Sequence, residues 1–150
     1  MPSELHQIRV KLPIHSIWNF VSVMDHWAPL VPGYIDHETL NSTDSIWKFK
    51  SDFGLIKKKV ELRVEITSWE EPNKVTFNLY GINEKISGHG YFLAEEINSE
   101  ETMMNGFLDL SSEAAMSKMI NAKLKKNIKE MTQDLTTAIA TRIQELEEVK

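Results

Sequence analysis

Side chains readily recruited for catalysis are sparse in this chain. Five histidines occur, His6, His15, His26, His37 and His89, and there is no cysteine. Without a thiol, disulfides, thiolate nucleophiles, zinc–thiolate sites and cysteine-held iron–sulfur clusters are excluded. No pair of histidines has the helical i, i+4 zinc spacing around a glutamate. Two Asp-His dipeptides, Asp25-His26 and Asp36-His37, flank the turn signal Pro32-Gly33. A carboxylate beside an imidazole could orient it as a general base or support a metal ligand. Adjacent strand residues point to opposite faces, so neither dipeptide closes that bond within itself, and both read as solvated loop edges. Ser87-Gly88 and Asn105-Gly106 lack the strained strand-to-helix turn of a serine nucleophile. Gly88 and Gly90 are followed by no Lys-Ser/Thr pair and lie in a strand pattern, so they read as points where the sheet bends or another backbone approaches. The residues therefore assign no catalytic side chain, no metal and no cofactor.

The elements that would position any site follow from periodicity. Ile8, Val10 and Leu12 alternate with Arg9 and Lys11 as a first strand, which Pro13 ends. Ile14, Ile17, Trp18 and Val21 then share a helical face, and Met24 to Leu30 suggests a second short helix. After Pro32-Gly33 the period falls to two: Tyr34 to Leu40, then Trp47, Phe49 and Ser51 alternating with Lys48, Lys50 and Asp52. Val60, Leu62, Val64 and Ile66 alternate with Glu61, Arg63 and Glu65, a strand with one wet face. Val75, Phe77 and Leu79 give the next apolar face, and Ile86 to Ile97 and Thr102 to Leu110 complete the run. From about Ala114 to Glu148 the spacing is helical: Met116, Ile120, Leu124, Ile128, Met131, Leu135, Ile139 and Ile143 form one stripe, with Ser111 or Ser112 as the expected cap. Strands grouped together, followed by one long helix, predict an α+β fold with a curved antiparallel sheet of six or seven strands. The 150 residues fit one domain.

A single helix laid on a wide, curved sheet leaves a middle that is hard to fill, so a cavity is expected there. Strand parity turns Trp47, Phe49, Phe77 and Met104 toward the start of the helix stripe at Met116, Ile120 and Leu124. These seven are the candidate ligand-binding residues. Methionine adapts its shape and suits flexible apolar ligands.

Charge bears on partners. Seventeen basic and 22 acidic residues give a net charge of −5, which offers no general attraction to nucleic acid. Leu55 and Ile56 followed by Lys57, Lys58 and Lys59 form an expected hairpin tip that could touch an anionic membrane or a partner, or be a solvated strand start. Lys123, Lys125, Lys126 and Lys129 fall off the apolar stripe and read as the wet side of the helix. No stretch reaches the roughly 20 apolar residues of a membrane span. Met1-Pro2-Ser3-Glu4 carries no leader pattern, and a cytoplasmic location is the expectation.

Several local signatures, in order, resemble the START/Bet v 1-like (SRPBCC) superfamily, and within it the CoxG-like family associated with carbon monoxide dehydrogenase. Pro13 with Ile17-Trp18 is similar to that family's P-x-x-x-V-W opening of the first helix. Leu30-Val31-Pro32-Gly33-Tyr34 resembles its L-P-G segment, and Asp52-Phe53-Gly54-Leu55-Ile56 its V-G-P-I turn. Ser87-Gly88-His89-Gly90 resembles its G-x-G strand, and Thr102-Met103-Met104 its T-x-L entry to the last strand. The resemblance implies a helix-grip fold, an internal pocket for a hydrophobic molecule and no built-in cofactor. Some members sit beside molybdenum hydroxylases, and longer ones carry an apolar C-terminal anchor, where this chain has the polar Glu147-Glu148-Val149-Lys150. The function expected is non-catalytic binding or carriage of a lipid, polyketide or quinone-type molecule. The alternatives are an accessory protein of a molybdenum hydroxylase, in contact with that redox enzyme, or a cyclase or hydrolase of the superfamily.

Overall fold

The structure is a computed structural model that describes residues 3–31, 34–51, 58–82, 86–112 and 117–148. The side chains of residues 51, 58, 112, 117–124, 126, 127 and 148 lie outside the description. Strand β1 (Ser3–Val10) is followed by α1 (Ile14–Val21), α2 (Met24–Trp27) and a 3-10 turn over Ala28–Leu30. Then come β2 (Tyr34–Thr39), β3 (Asp44–Ser51), β4 (Lys58–Glu70), β5 (Lys74–Gly81), β6 (Ile86–Asn98), β7 (Glu101–Ser112) and α3 (Ser117–Glu148).

The seven strands make one sheet in the order β1-β7-β6-β5-β4-β3-β2. Every neighbouring pair is antiparallel. The six strands from β2 to β7 pair with their sequence neighbours, which needs only local hairpins. The long-range step is the return of β1 to β7, which pairs Val10 with Thr102 and Ser3 with Asp109.

Alternation decides which face is inward. On β4, Val60, Leu62, Val64 and Ile66 are buried while Arg63 is exposed and Glu61 and Glu65 are half-buried. Their partners Phe49 and Trp47 on β3, and Leu79 and Phe77 on β5, are buried on the same side. Pro13, with φ −64°, stands at the N-terminal boundary of α1, where a residue that donates no backbone hydrogen bond costs nothing. Ile14, Ile17, Trp18 and Val21 are buried as expected, and Phe20 with them.

Helix α3 packs chiefly on β1 and β7, at one side of the sheet. Ile128, Ile139 and Ile143 are buried and Met131 and Leu135 half-buried, in agreement with the sequence stripe. Thr132, Thr136 and Ala140 are buried as well, forming a row of small side chains at four-residue spacing. That row lets the helix sit low over Gly106, where an added Cβ would run into the Thr136 hydroxyl. The expected cap at Ser111 or Ser112 is corrected: both residues belong to β7, paired with Ser87 and Ile86 of β6.

Candidate functional site

The inner face is apolar in the middle and polar at both edges. Its centre is an aromatic cluster built on Trp27, whose side chain is completely buried. Trp27 meets Phe92 edge-on at 4.9 Å between ring centroids, Trp47 edge-on at 5.1 Å and Phe77 at 5.9 Å. Edge-to-face packing sets the positive ring edge against the negative ring face. The Trp27 indole N–H donates to the carbonyl of Val21 at 3.1 Å, so this large side chain is buried without an orphaned donor. The Trp47 indole donates to Ser45 Oγ at 2.7 Å, and Ser45 donates in turn to Met24 Sδ at 2.8 Å. Gly90 is necessary beneath this cluster, because a Cβ there would lie 2.8 Å from the Phe77 ring.

Of the residues selected from the sequence, Trp47, Phe49, Phe77 and Met104 are all buried, on inner-face register positions. Trp47 and Phe77 meet through Trp27, and Phe49 lies two residues from Trp47 on the same face. Met104 stands apart, paired between Ala94 and Ile8, where it lines a pocket of about 10 Å³ with Ile17, Val21 and Phe92. Such a pocket has room for a single water-sized body. Met116, Leu55, Ile56 and Lys57 lie outside the described residues, as do the side chains of Ile120, Leu124 and Lys58. Lys59 is exposed on β4. Trp27, the hub of the cluster, stands out in the sequence as one of its large aromatic residues but is not among the seven chosen by strand and helix parity. A four-residue helix is too short to show a periodic stripe that would single it out.

The polar edge at β2 corrects the reading of the Asp-His dipeptides as solvated loop edges. Neither dipeptide closes on itself through its ring, as expected, but the two meet each other. His37 Nε2 lies 2.8 Å from Asp25 Oδ1, and His37 Nδ1 lies 2.6 Å from the Tyr34 hydroxyl. Thr39 Oγ1 donates to the same Asp25 oxygen at 2.8 Å. Tyr34 and His37 are three residues apart, which in a regular strand would put them on opposite faces. A β-bulge between Tyr34 and Asp36 resets the parity, so that Tyr34 lies opposite Phe49 and His37 opposite Trp47. Both therefore join the inner face. The His37 side chain is 15% exposed and that of Asp25 60%, so the chain of contacts runs from solvent inward.

The electrostatics are consistent with this arrangement. Hydrogen bonds from His37 and then Thr39 hold the Asp25 carboxyl below its ordinary value, against the opposing effect of burial. Burial pushes the Tyr34 hydroxyl above its ordinary value, with the charges of Asp36 and Asp25 adding to the effect. Asp25 is then a carboxylate and Tyr34 a neutral hydroxyl near pH 7. A carboxylate only accepts, so in the neutral imidazole Nε2 carries the proton and Nδ1 accepts from Tyr34. At the opposite edge, β1 brings Glu4 and His6 to the inner register beside α3, and Gln133 reaches Glu4 at 3.5 Å. Among the described residues no three His, Asp or Glu side chains gather as a metal site. No helix among them is long and apolar enough to cross a membrane.

A family model matches residues 1–146 of the chain. No curated protein matches it at the level of sequence. Among solved structures, a conserved protein from Geobacillus kaustophilus is similar with a TM-score of 0.79 at 15% identity, covering 95% of both chains. A START superfamily protein from Mycobacterium smegmatis is similar with a TM-score of 0.70 at 12% identity, covering 96% of this chain and 98% of that one. An aromatase/cyclase from a Streptomyces species is similar with a TM-score of 0.67 at 14% identity, covering 95% and 93%. The shared architecture is the helix-grip fold: a curved antiparallel sheet, a long C-terminal helix and short helices after the first strand. With a family model matched over residues 1–146 and an architecture common to all three structures, the protein has the START/Bet v 1-type helix-grip fold.

Proposed function

We propose that the protein binds a hydrophobic small molecule between the sheet and α3, as a carrier of a lipid, polyketide or quinone-type compound. The observation that supports this most is the makeup of the inner face. From β3 to β6 it offers Trp47, Phe49, Phe77 and Phe92 around Trp27, with polar groups confined mainly to the two edge strands. The described part of α3 rests on β1 and β7 at one side of this aromatic floor. The sequence stripe Met116, Ile120 and Leu124 is the proposed second wall of the ligand site. Residues 1–150 act in this reading as one domain, in the cytoplasm. The sequence motifs favour the CoxG-like branch, with membrane or redox-enzyme contact through Leu55 to Lys59. Native mass spectrometry of the purified protein is the test. A co-purified apolar compound in stoichiometric amount supports the proposal. A bare chain that also fails to take up a fluorescent fatty acid or a quinone analogue refutes it.

A further inference from the structure

We propose that Tyr34, His37 and Asp25 form a proton relay at the rim of the inner face, and that it makes the site catalytic toward enolisable aromatic ketones. The proposal rests on the binding reading above and adds chemistry to it.

Three observations carry it. The chain is continuous, with 2.6 Å from Tyr34 to His37 and 2.8 Å from His37 to Asp25. A bulge turns Tyr34 and His37 to the same face, beside the aromatic floor at Phe49 and Trp47. The Asp25 carboxylate is fixed by a second donor, Thr39, so the ring has a defined orientation. Other titratable groups near the relay are His26 on α2 and Asp36 on β2, while β3 presents Phe49 and Trp47 at the register positions of Tyr34 and His37.

The proton balance closes within the relay. Tyr34 passes its hydroxyl proton to His37 Nδ1, and its oxygen takes a proton from the carbon beside the ketone. An enolate results, with an imidazolium held against the Asp25 carboxylate. Returning the protons by the same route restores the relay and re-protonates the ligand at carbon. No oxidant, reductant or second reactant is needed. Tyr34 is the catalytic residue, since it touches the reacting carbon's proton. His37 and Asp25 are positioning residues that receive and stabilise the displaced proton. The aromatic floor selects a ligand with a flat apolar body, and the rim hydroxyl selects one with an acidic C–H beside a carbonyl.

The test is hydrogen–deuterium exchange at the α-carbons of 2-tetralone in deuterated buffer, followed by proton NMR, with binding of the same ketone measured by tryptophan fluorescence. The wild type is expected to accelerate exchange by about 10²-fold over buffer, the lower range of general acid–base catalysis. Tyr34→Phe should abolish the acceleration while the variant still binds the ketone on the aromatic floor. Asp25→Asn should lower kcat for exchange about ten-fold with KM unchanged, and Asp25→Glu should recover part of it. Circular dichroism confirms that each variant folds. Binding of the ketone by the wild type without accelerated exchange overturns the relay and leaves the binding proposal standing. Exchange that survives in Tyr34→Phe also overturns it. Failure of the wild type to bind 2-tetralone, fatty acid or quinone probes overturns both proposals.

Discussion

Gly106 of β7 lies directly beneath Thr136 of α3, so close that a methyl group on Gly106 would occupy the space of the Thr136 hydroxyl. That hydroxyl already donates to the Thr132 carbonyl at 2.7 Å, a bond that moving it aside would break. The contact sets how low the helix rides on the sheet.

Gly106→Ala is therefore expected to destabilise the fold by about 1–3 kcal/mol, the usual range for overpacking. Thr136→Ala in the same chain should return part of that loss, because it vacates the colliding atoms. Urea unfolding of the two single variants and the double variant measures the coupling. Strict additivity would show that α3 is not seated on Gly106.

Trp27→Ala should cost about 3–5 kcal/mol, since it removes a completely buried ring in contact with three others. Trp27→Phe should cost less but more than a volume change alone, because the Val21 carbonyl loses its indole donor. Thermal unfolding followed by near-ultraviolet circular dichroism reports both, and an unchanged aromatic signal in Trp27→Ala would contradict the cluster.

Acid should weaken the fold through two aspartates. Burial pushes the Asp44 carboxyl up, but hydrogen bonds from Arg63, Asn41 and Thr43 outweigh it and hold the group below its ordinary 3.8. Asp25 is lowered likewise, by His37 and Thr39. A carboxyl with a depressed folded value binds fewer protons folded than unfolded. Its stabilisation is complete above the unfolded value and is lost as pH falls through the folded one. Urea midpoints should therefore decline as pH drops below about 4. Asp44→Asn and Asp25→Asn should each flatten that decline, and a midpoint with the same slope in both variants would show that other groups govern it.

Ile120→Trp, in the early part of α3, tests the proposed lining. Added bulk in a ligand space should weaken binding of a fluorescent fatty acid at least about ten-fold, with a small change in Tm. In a filled core the same substitution would overpack and cost about 1–3 kcal/mol with no ligand effect to lose. Dye titration and thermal melts on the same sample separate the two outcomes.

Local residue patterns were enough to define the elements and most of their faces. Val60 to Ile66 alternate without interruption, so the buried side of β4 follows from its own residues. The α3 stripe from Ile128 to Ile143 is likewise written in local spacing, because one helical face meets one partner surface. The absence of cysteine settled whole classes of chemistry before any fold was known. Other features depend on how the chain packs in three dimensions. Packing placed Trp27 at the centre of four rings contributed by α2, β3, β5 and β6, a meeting that no local period encodes. It also seated Thr132, Thr136 and Ala140 against the sheet, small residues whose value lies in close approach rather than in hydrophobicity. The relay shows the division most clearly. Both Asp-His dipeptides are visible in the sequence, but a single-residue bulge turns His37 inward beside Tyr34, and the path of the chain from α2 to β2 brings Asp25 to it. Parity along a strand is local information, whereas a shift in register is set by the partner strand, and a contact between α2 and β2 by the packing of the chain between them.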